Sequence, residues 1–372
     1  MHDSVLKRIY HPWVPSNHAR IGPFTNPSRH PIRPLAMPLN SRPLRSLTGI
    51  FRVVCTLSAT WLIPASSAES QPAESPELPW IFAHRGASGE RPEHTMSAYR
   101  LALEQGADFI EPDLRISKDG VFIALHDATL NRTTDIAALS EFEDRTRPDK
   151  DGNSLWFPAD FTLAELRTLK CRQGMGRRPK QYDGAEGIPT LAEIVDLVRT
   201  WNREHGTKVG IVPELRGNAE AFIAFVKEHR LGARGDLPVY LQSFEAGTLR
   251  TVREALGFPA ALLTSARPEL EKMQEFRGVF DAIAVGRAGC LTSDSKEWIA
   301  EVHALGMRVI AWTFDDAAFD KTRFTSSAEE MVEAFRNGVD AVFTDHPSSA
   351  IKARAILRTA APTEKPLPPS PR

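Results

Sequence analysis

Residues 109–127 read FIEPDLRISKDGVFIALHD. Two apolar, β-like runs, Phe109–Leu114 and Val121–Leu125, flank Lys118-Asp119-Gly120. Asp-Gly between such runs is a strong hairpin signal, and so few residues leave no room for the crossover helix that parallel neighbours need. The connection is therefore expected to be antiparallel, with positions summing to about 238–239 opposed, which sets His126 beside Pro112 or Asp113. Within the first run Glu111 and Asp113 are two apart, so on a strand both carboxylates project to one side.

On either side of this stretch, strand-like runs alternate with helical ones. The other strand candidates are Trp80–Ala83, Val209–Val212, Val239–Leu241, Ala261–Leu263, Ala282–Val285, Val309–Trp312 and Ala341–Phe343. Thr95–Gln105 gathers Met96, Tyr99, Ala102 and Leu103 near one helical face and stops at Gly106. Thr190–Trp201 gathers Leu191, Ile194, Val195 and Val198, and Met331–Phe335 stops at Asn337-Gly338. Short apolar strands separated by helices imply a buried parallel sheet, open or closed into a barrel. Nine strand candidates stand where a closed barrel takes eight, so one lies outside it or is no strand. Residues 128–187 are largely polar, with one helix expected at Thr162–Leu169, and read as a long insertion over one face.

The N-terminal region has a different character. Residues 1–36 are rich in Pro, Arg and His without periodicity and read as a non-native or disordered extension, with Met37 the expected start. From there MPLNSRPLRSLTGIFRVVCTLSATWLIPASSAES supplies Arg42 and Arg45, a mostly apolar Leu47–Ile63 stretch and the small residues Ser66-Ser67-Ala68. This is the layout of a signal peptide over 37–68, followed by a linker over 69–78. Cleavage after Ala68 would remove Cys55 and leave Cys171 and Cys290, whose separation in space the sequence does not give. A periplasmic or secreted location follows as an expectation, without stable membrane insertion once the signal is removed. The tail over 361–372 holds five prolines and is expected to be disordered.

Of 372 residues, 42% are hydrophobic and 25% charged, as in ordinary globular proteins. The first 70 residues carry eight Lys/Arg against two Asp/Glu, which leaves 38 basic against 45 acidic residues in the body. A mildly acidic body argues against nucleic-acid binding.

The strand ends carry a consistent chemistry. The first ends in His84-Arg85-Gly86: a proton carrier near neutral pH, a bidentate phosphate donor and a residue that lets backbone approach closely. Glu111 and Asp113 end the second, and like charges converging there call for a cation or a basic group. His126-Asp127 end the third, and Glu214 with Arg216 share a face at the end of the fourth. Oxygen-only ligands favour Ca²⁺ or Mg²⁺ over zinc. Positive charge, a base and an acid together are what cleavage of a phosphodiester needs.

With these residues in view, the stretch HRGASGERPEHTMSAYRLALEQGADFIEPDLRISKDGVFIALHDATLNRTTD (84–135) resembles the opening of the glycerophosphodiester phosphodiesterase family. PEHT (92–95), DRTR (144–147) and DFTLAEL (160–166) resemble its periplasmic, calcium-using branch. The similarity continues through VPELRGN, YLQSF, VIAWTF and VFTDHP, from about Pro79 to Ala350. It implies an α/β fold, a distorted TIM-type (β/α)8 barrel over 79–352 with the 128–187 insertion after the third strand. It further implies that His84 and His126 form the general acid–base pair, that Glu111, Asp113 and Glu214 hold one divalent metal, calcium in preference to magnesium, and that Arg85 binds phosphate. Arg216 stands where the family usually has Lys, and keeps the charge as a second phosphate clamp. His94 stands where many relatives have Asn and is expected to position other groups, with Glu93 in support. Gln242 and Phe244 are candidates for substrate contact, Trp312 and Phe314 for the wall of a glycerol pocket. Asp345 is expected to tie down the last strand end, and Asp127 and Arg132 to orient His126 or stabilise its loop. The implied substrate is a small glycerophosphodiester, cleaved to glycerol 3-phosphate and an alcohol. A related barrel lipase acting on intact lipids, or a non-catalytic binding protein on the same scaffold, are the alternatives.

Overall fold

The computed structural model describes residues 78–360 other than 235. The expected extension, the signal segment with Cys55, the linker up to 77 and the 361–372 tail lie outside the described residues. Eight strands form the central sheet: β1 Trp80–His84, β2 Phe109–Glu111, β3 Gly210–Ile211, β4 Leu241–Ser243, β5 Ala260–Thr264, β6 Ala282–Gly286, β7 Arg308–Phe314 and β8 Ala341–Thr344. All pair in parallel, in the order β3-β2-β1-β8-β7-β6-β5-β4. The ends of that order meet through Ile211 with Val239 and Glu214 with Gln242. There Ile211 N–H donates to the Pro238 carbonyl at 2.9 Å and Leu215 N–H to that of Gln242 at 2.8 Å. The sheet therefore closes into a TIM-type barrel.

The surplus strand candidate is Val121–Leu125. Phe122–Ala124 pairs antiparallel with Leu114–Ile116, outside the barrel, with Leu114 opposite Ala124 as the Asp-Gly turn requires. The run Phe109–Leu114 is correspondingly split: Pro112, which has no N–H to give a ladder, follows the last residue of β2.

Helices follow the strands. In α1 (Met96–Glu104) the Thr95 side chain caps the N-terminus by accepting from Ala98 N–H. In α3 (Leu191–His205), reached after a short α2 (Leu163–Leu166), Thr190 and Glu193 form a capping box, and left-handed Gly206 ends the helix. Its expected apolar face, Leu191, Ile194, Val195 and Val198, is buried. The ring is completed by α4 (Ala219–Glu228), α5 (Ala246–Leu256), α6 (Leu270–Phe276), α7 (Ser295–Ala304), α8 (Ser327–Arg336) and α9 (Pro347–Ala360).

Three apolar clusters result. The largest lies between barrel and helices, and a second fills the barrel, where Phe82 meets Phe109 and Phe343 with ring centroids 4.9 and 5.0 Å apart. Phe82→Ala is expected to cost about 3–5 kcal/mol, read as a fall in the urea midpoint at constant slope. The third cluster belongs to the insertion and its hairpin: Ile123, Leu130, Phe142, Trp156, Phe161 and Leu166 pack together. The stretch that reads as largely polar thus has a core of its own. Cys171 lies in that cluster and Cys290 in the outer barrel layer, both as free thiols, so they do not pair.

Candidate active site

Strand β1 delivers His84 level with Glu111 of β2. Immediately afterwards the chain turns through left-handed backbone at Arg85 and Gly86 (φ 58° and 81°). A Cβ on Gly86 would sit 2.6 Å from the Ala98 carbonyl carbon, so only glycine lets this turn lie against α1. The turn aims Arg85 N–H at Glu111 Oε2, 2.7 Å away.

Glu111, Asp113 and Glu214 converge, with one carboxylate oxygen from each lying within 4.8 Å of the others. They are 1%, 1% and 8% exposed. Burial, with Asp113 and Glu214 alongside, pushes Glu111 well above the usual carboxylate range. Burial and Asp113 push Glu214 up to about 8. Asp113 moves the other way: against burial, Arg216, His126, His94 and Arg85 hold it well below that range. On two of the three clustered carboxyls burial and like charge therefore outweigh the neighbouring arginines, and the donors are all oxygen. A hard divalent cation fits that set.

Cationic and neutral donors surround the triad. Arg216 Nη2 reaches Asp113 at 2.8 Å and Glu214 at 2.7 Å. Arg85 Nε lies 3.3 Å from Asp113, and its Nη1 donates to Glu93 at 3.0 Å. His94 has both nitrogens occupied: Nε2 donates to Asp113 at 3.0 Å and Nδ1 accepts from the Tyr99 hydroxyl at 2.7 Å. Burial lowers its pKa, which keeps the ring neutral in this arrangement. It braces Asp113, and neither nitrogen is left for a substrate.

The other histidines are held differently. His84 Nδ1 contacts Asp345 at 2.7 Å and His126 Nδ1 contacts Asp127 at 2.7 Å, so Nε2 is the nitrogen of each ring not engaged by these aspartates. Burial, with Arg85 nearby, pushes His126 down to about 4. Arg115, on the hairpin, donates to the carbonyls of His126 and Asp127 at 2.8 and 3.1 Å and so fixes the backbone that carries the ring.

The remaining candidates divide. Gln242 is buried, and its amide donates to Glu111 at 3.0 Å, so here it serves the triad instead of facing open space. Phe244 is 46% exposed and meets Trp312 edge-on at 5.7 Å. Phe314, a candidate pocket wall, is fully buried in the outer layer, because the ladder shifts register between Ala311 and Phe314 and reverses the expected face. Three polar residues escaped sequence reasoning. Ser88 and Arg178 both bind Asp345, at 2.7 and 2.5 Å, and the Tyr99 hydroxyl serves His94. Nothing in periodicity or motif marks Arg178, which lies in the insertion 167 residues from its partner.

This geometry accords with what comparison with known proteins finds. Residues 84–349 match the model of the Glycerophosphoryl diester phosphodiesterase family. The chain is 35% identical to an Arabidopsis thaliana glycerophosphodiester phosphodiesterase over 54% of its own length and 59% of the relative's. It is 30% identical to one from Haemophilus influenzae over 47% and 52%, so it spans little more than half of these two relatives. With a Bacillus subtilis glycerophosphodiester phosphodiesterase the identity is 26%, over 81% of this chain and 95% of that one. Among solved structures, an Oleispira antarctica phosphodiesterase in complex with the product sn-glycerol-3-phosphate is 25% identical, with TM-score 0.57, covering 74% of this chain and 96% of that chain. A glycerophosphodiester phosphodiesterase from Agrobacterium tumefaciens shares the fold at 22% identity and TM-score 0.52, covering 73% and 98%.

Proposed function

The chain belongs to the glycerophosphoryl diester phosphodiesterase family, and from that premise we propose that it hydrolyses soluble glycerophosphodiesters to glycerol 3-phosphate and an alcohol, with one divalent metal and a histidine pair. The observation that carries the reading is the buried, under-compensated triad Glu111, Asp113 and Glu214 at the strand ends, beside His84 on the adjacent strand. These three carboxylates would hold the metal, Ca²⁺ in preference to Mg²⁺. When bound, such an ion neutralises phosphate charge and polarises a phosphoryl oxygen.

The protein's own groups supply the rest. Arg85, with Nη1 held by Glu93 and Nε in ion-pair contact with Asp113 at 3.3 Å, offers Nη2 to the phosphate. One histidine takes the proton of the attacking hydroxyl through Nε2, and the other gives a proton to the leaving alcohol. His126, pushed down to about 4 by burial and by Arg85 nearby, has a neutral ring at pH 7 that can accept a proton. Arg216 keeps Asp113 ionised and faces the same charge. The substrate in this reading is a small molecule. Among the described residues no helix is long and apolar enough to cross a membrane. A periplasmic or secreted location rests on the signal-like segment 37–68.

The test is glycerol 3-phosphate release from glycerophosphocholine by the full chain, before and after EDTA and with Ca²⁺ or Mg²⁺ added back. Release abolished by chelation and restored best by Ca²⁺ is expected. No release from any glycerophosphodiester by folded, metal-supplied protein would sink the proposal. The exposed Phe244 beside Trp312 supports one second reading, action on intact lipid. Turnover of micellar phospholipid but not of soluble diesters would select it.

A further inference from the structure

The two histidines are braced by the same two-part device. Each Nδ1 meets an aspartate, and each aspartate is gripped by an arginine from the 128–187 insertion. On the His84 side, Asp345 Oδ1 receives His84 Nδ1 and Ser88 Oγ, both at 2.7 Å, and Oδ2 receives Arg178 Nη2 at 2.5 Å. Arg178 is 8% exposed and is itself anchored on the Ser88 carbonyl at 3.1 Å and Asp315 at 3.2 Å. On the His126 side, Arg132 forks onto both oxygens of Asp127 at 2.6 and 3.0 Å. The same guanidinium grips both oxygens of Glu93 at 2.8 and 2.7 Å, and Glu93 in turn holds Arg85 at 3.0 Å.

We propose that Arg132 and Arg178 are positioning residues, through which the insertion sets the tautomer and orientation of both histidines. This rests on the acid–base roles given to His84 and His126 above. The physical basis is that an imidazole turns easily about its last torsion, so one carboxylate contact orients it only as well as that carboxylate is itself oriented. A carboxylate held on its second oxygen, or by a guanidinium fork, cannot rotate away. In both braces the second hold is an insertion arginine. The insertion is thus half of the site's framework. It is more than a cover.

The two roles separate experimentally. In the full-length, metal-supplied protein, Arg132→Met and Arg178→Met are expected to lower kcat for glycerophosphocholine about 10²-fold with KM changed only a few-fold, the usual cost of slight misplacement. Lysine keeps the charge but loses the fork on Asp127 at position 132 and the second anchor on the Ser88 carbonyl at position 178, and is expected to restore part of kcat. Gly174→Ala gives an independent probe, because its Cβ would lie 2.3 Å from Arg132 Nη1 and push that guanidinium aside. Nitrogen chemical shifts of ¹⁵N-labelled histidines read the tautomers directly. Arg178→Met should disturb His84 alone, while Arg132→Met and Gly174→Ala should disturb His126 alone. If Arg178→Met fails to fold, the more exposed Arg132 and the Gly174 variant carry the test. Folded variants with full kcat and unchanged imidazole spectra would overturn the proposal. A parent protein inactive on every diester would instead sink the functional reading, and the spectra would still decide whether the arginines set the rings.

Discussion

Replacing His84 with alanine is expected to lower kcat for glycerophosphocholine by about 10²–10⁴-fold, the range of a lost general acid or base, with KM within a few-fold. The ring touches Asp345 through Nδ1 at 2.7 Å and meets Phe343 edge-on at 6.5 Å, partly exposed at the strand end, while Phe82, Phe109 and Phe343 fill the barrel interior. Folding should therefore survive, and a matching thermal transition would confirm that chemistry alone is lost. His126→Ala should behave alike. The double variant should be barely worse than the poorer single one, because two groups that move protons in one cycle act as a unit. Independent multiplication of the two losses in steady-state kinetics would contradict the pairing.

Glu111→Gln is expected to have an equally large effect by a different route. It removes one of three carboxylates but keeps the shape, and its single oxygen can still accept from one of the two donors, Arg85 N–H or the Gln242 amide. Several kcal/mol of charge stabilisation would go with the cation, and each 1.36 kcal/mol is tenfold in rate, so activity should fall about 10³-fold. A readout independent of catalysis is the stabilisation by added Ca²⁺. A ligand at about 100 times its Kd contributes about 2.7 kcal/mol, which parent protein should show as a raised melting temperature and the variant should not. An unchanged calcium response would place the ion elsewhere.

The metal-free protein carries a related signature in pH. Glu214, pushed up to about 8, keeps in the folded state a proton that the unfolded chain releases near its ordinary value of about 4.3. The native state then binds more protons than the unfolded one, so stability is fully present below that ordinary value and is lost as pH rises towards and past 8. Glu214→Gln should flatten that slope in chelated protein, as urea titrations at several pH values would show.

The legible parts of the molecule were those governed by short-range rules. The two-residue strand period placed Glu111 and Asp113 together, and the Asp-Gly turn fixed the Leu114–Ala124 pairing that carries His126 back towards them. Helix caps at Thr95 and Thr190 were equally local. Failures came where long-range packing decides. Phe314, a candidate pocket wall, lies in the outer layer instead, since an irregularity in β7 intervenes after Ala311. Gln242 sits at a strand end as expected, and its hydrogen bond to Glu111 depends on the closure of β4 against β3, which no local pattern gives. Arg178 and Ser88 find each other across 90 residues through a segment without strand or helix periodicity, so no pattern announces them.

The contact between His84 and Asp345 ties the end of the first barrel strand to the end of the last, 261 positions later. On a ribosome adding about 5–20 residues per second, roughly 10–50 s separate the emergence of the two partners. Throughout that interval β1 can pair with β2 but presents its other edge, later covered by β8, to any chain nearby. A nascent or truncated chain would thus be both adhesive and inert. The His84 ring meets its aspartate only once the last strand has taken its place beside the first.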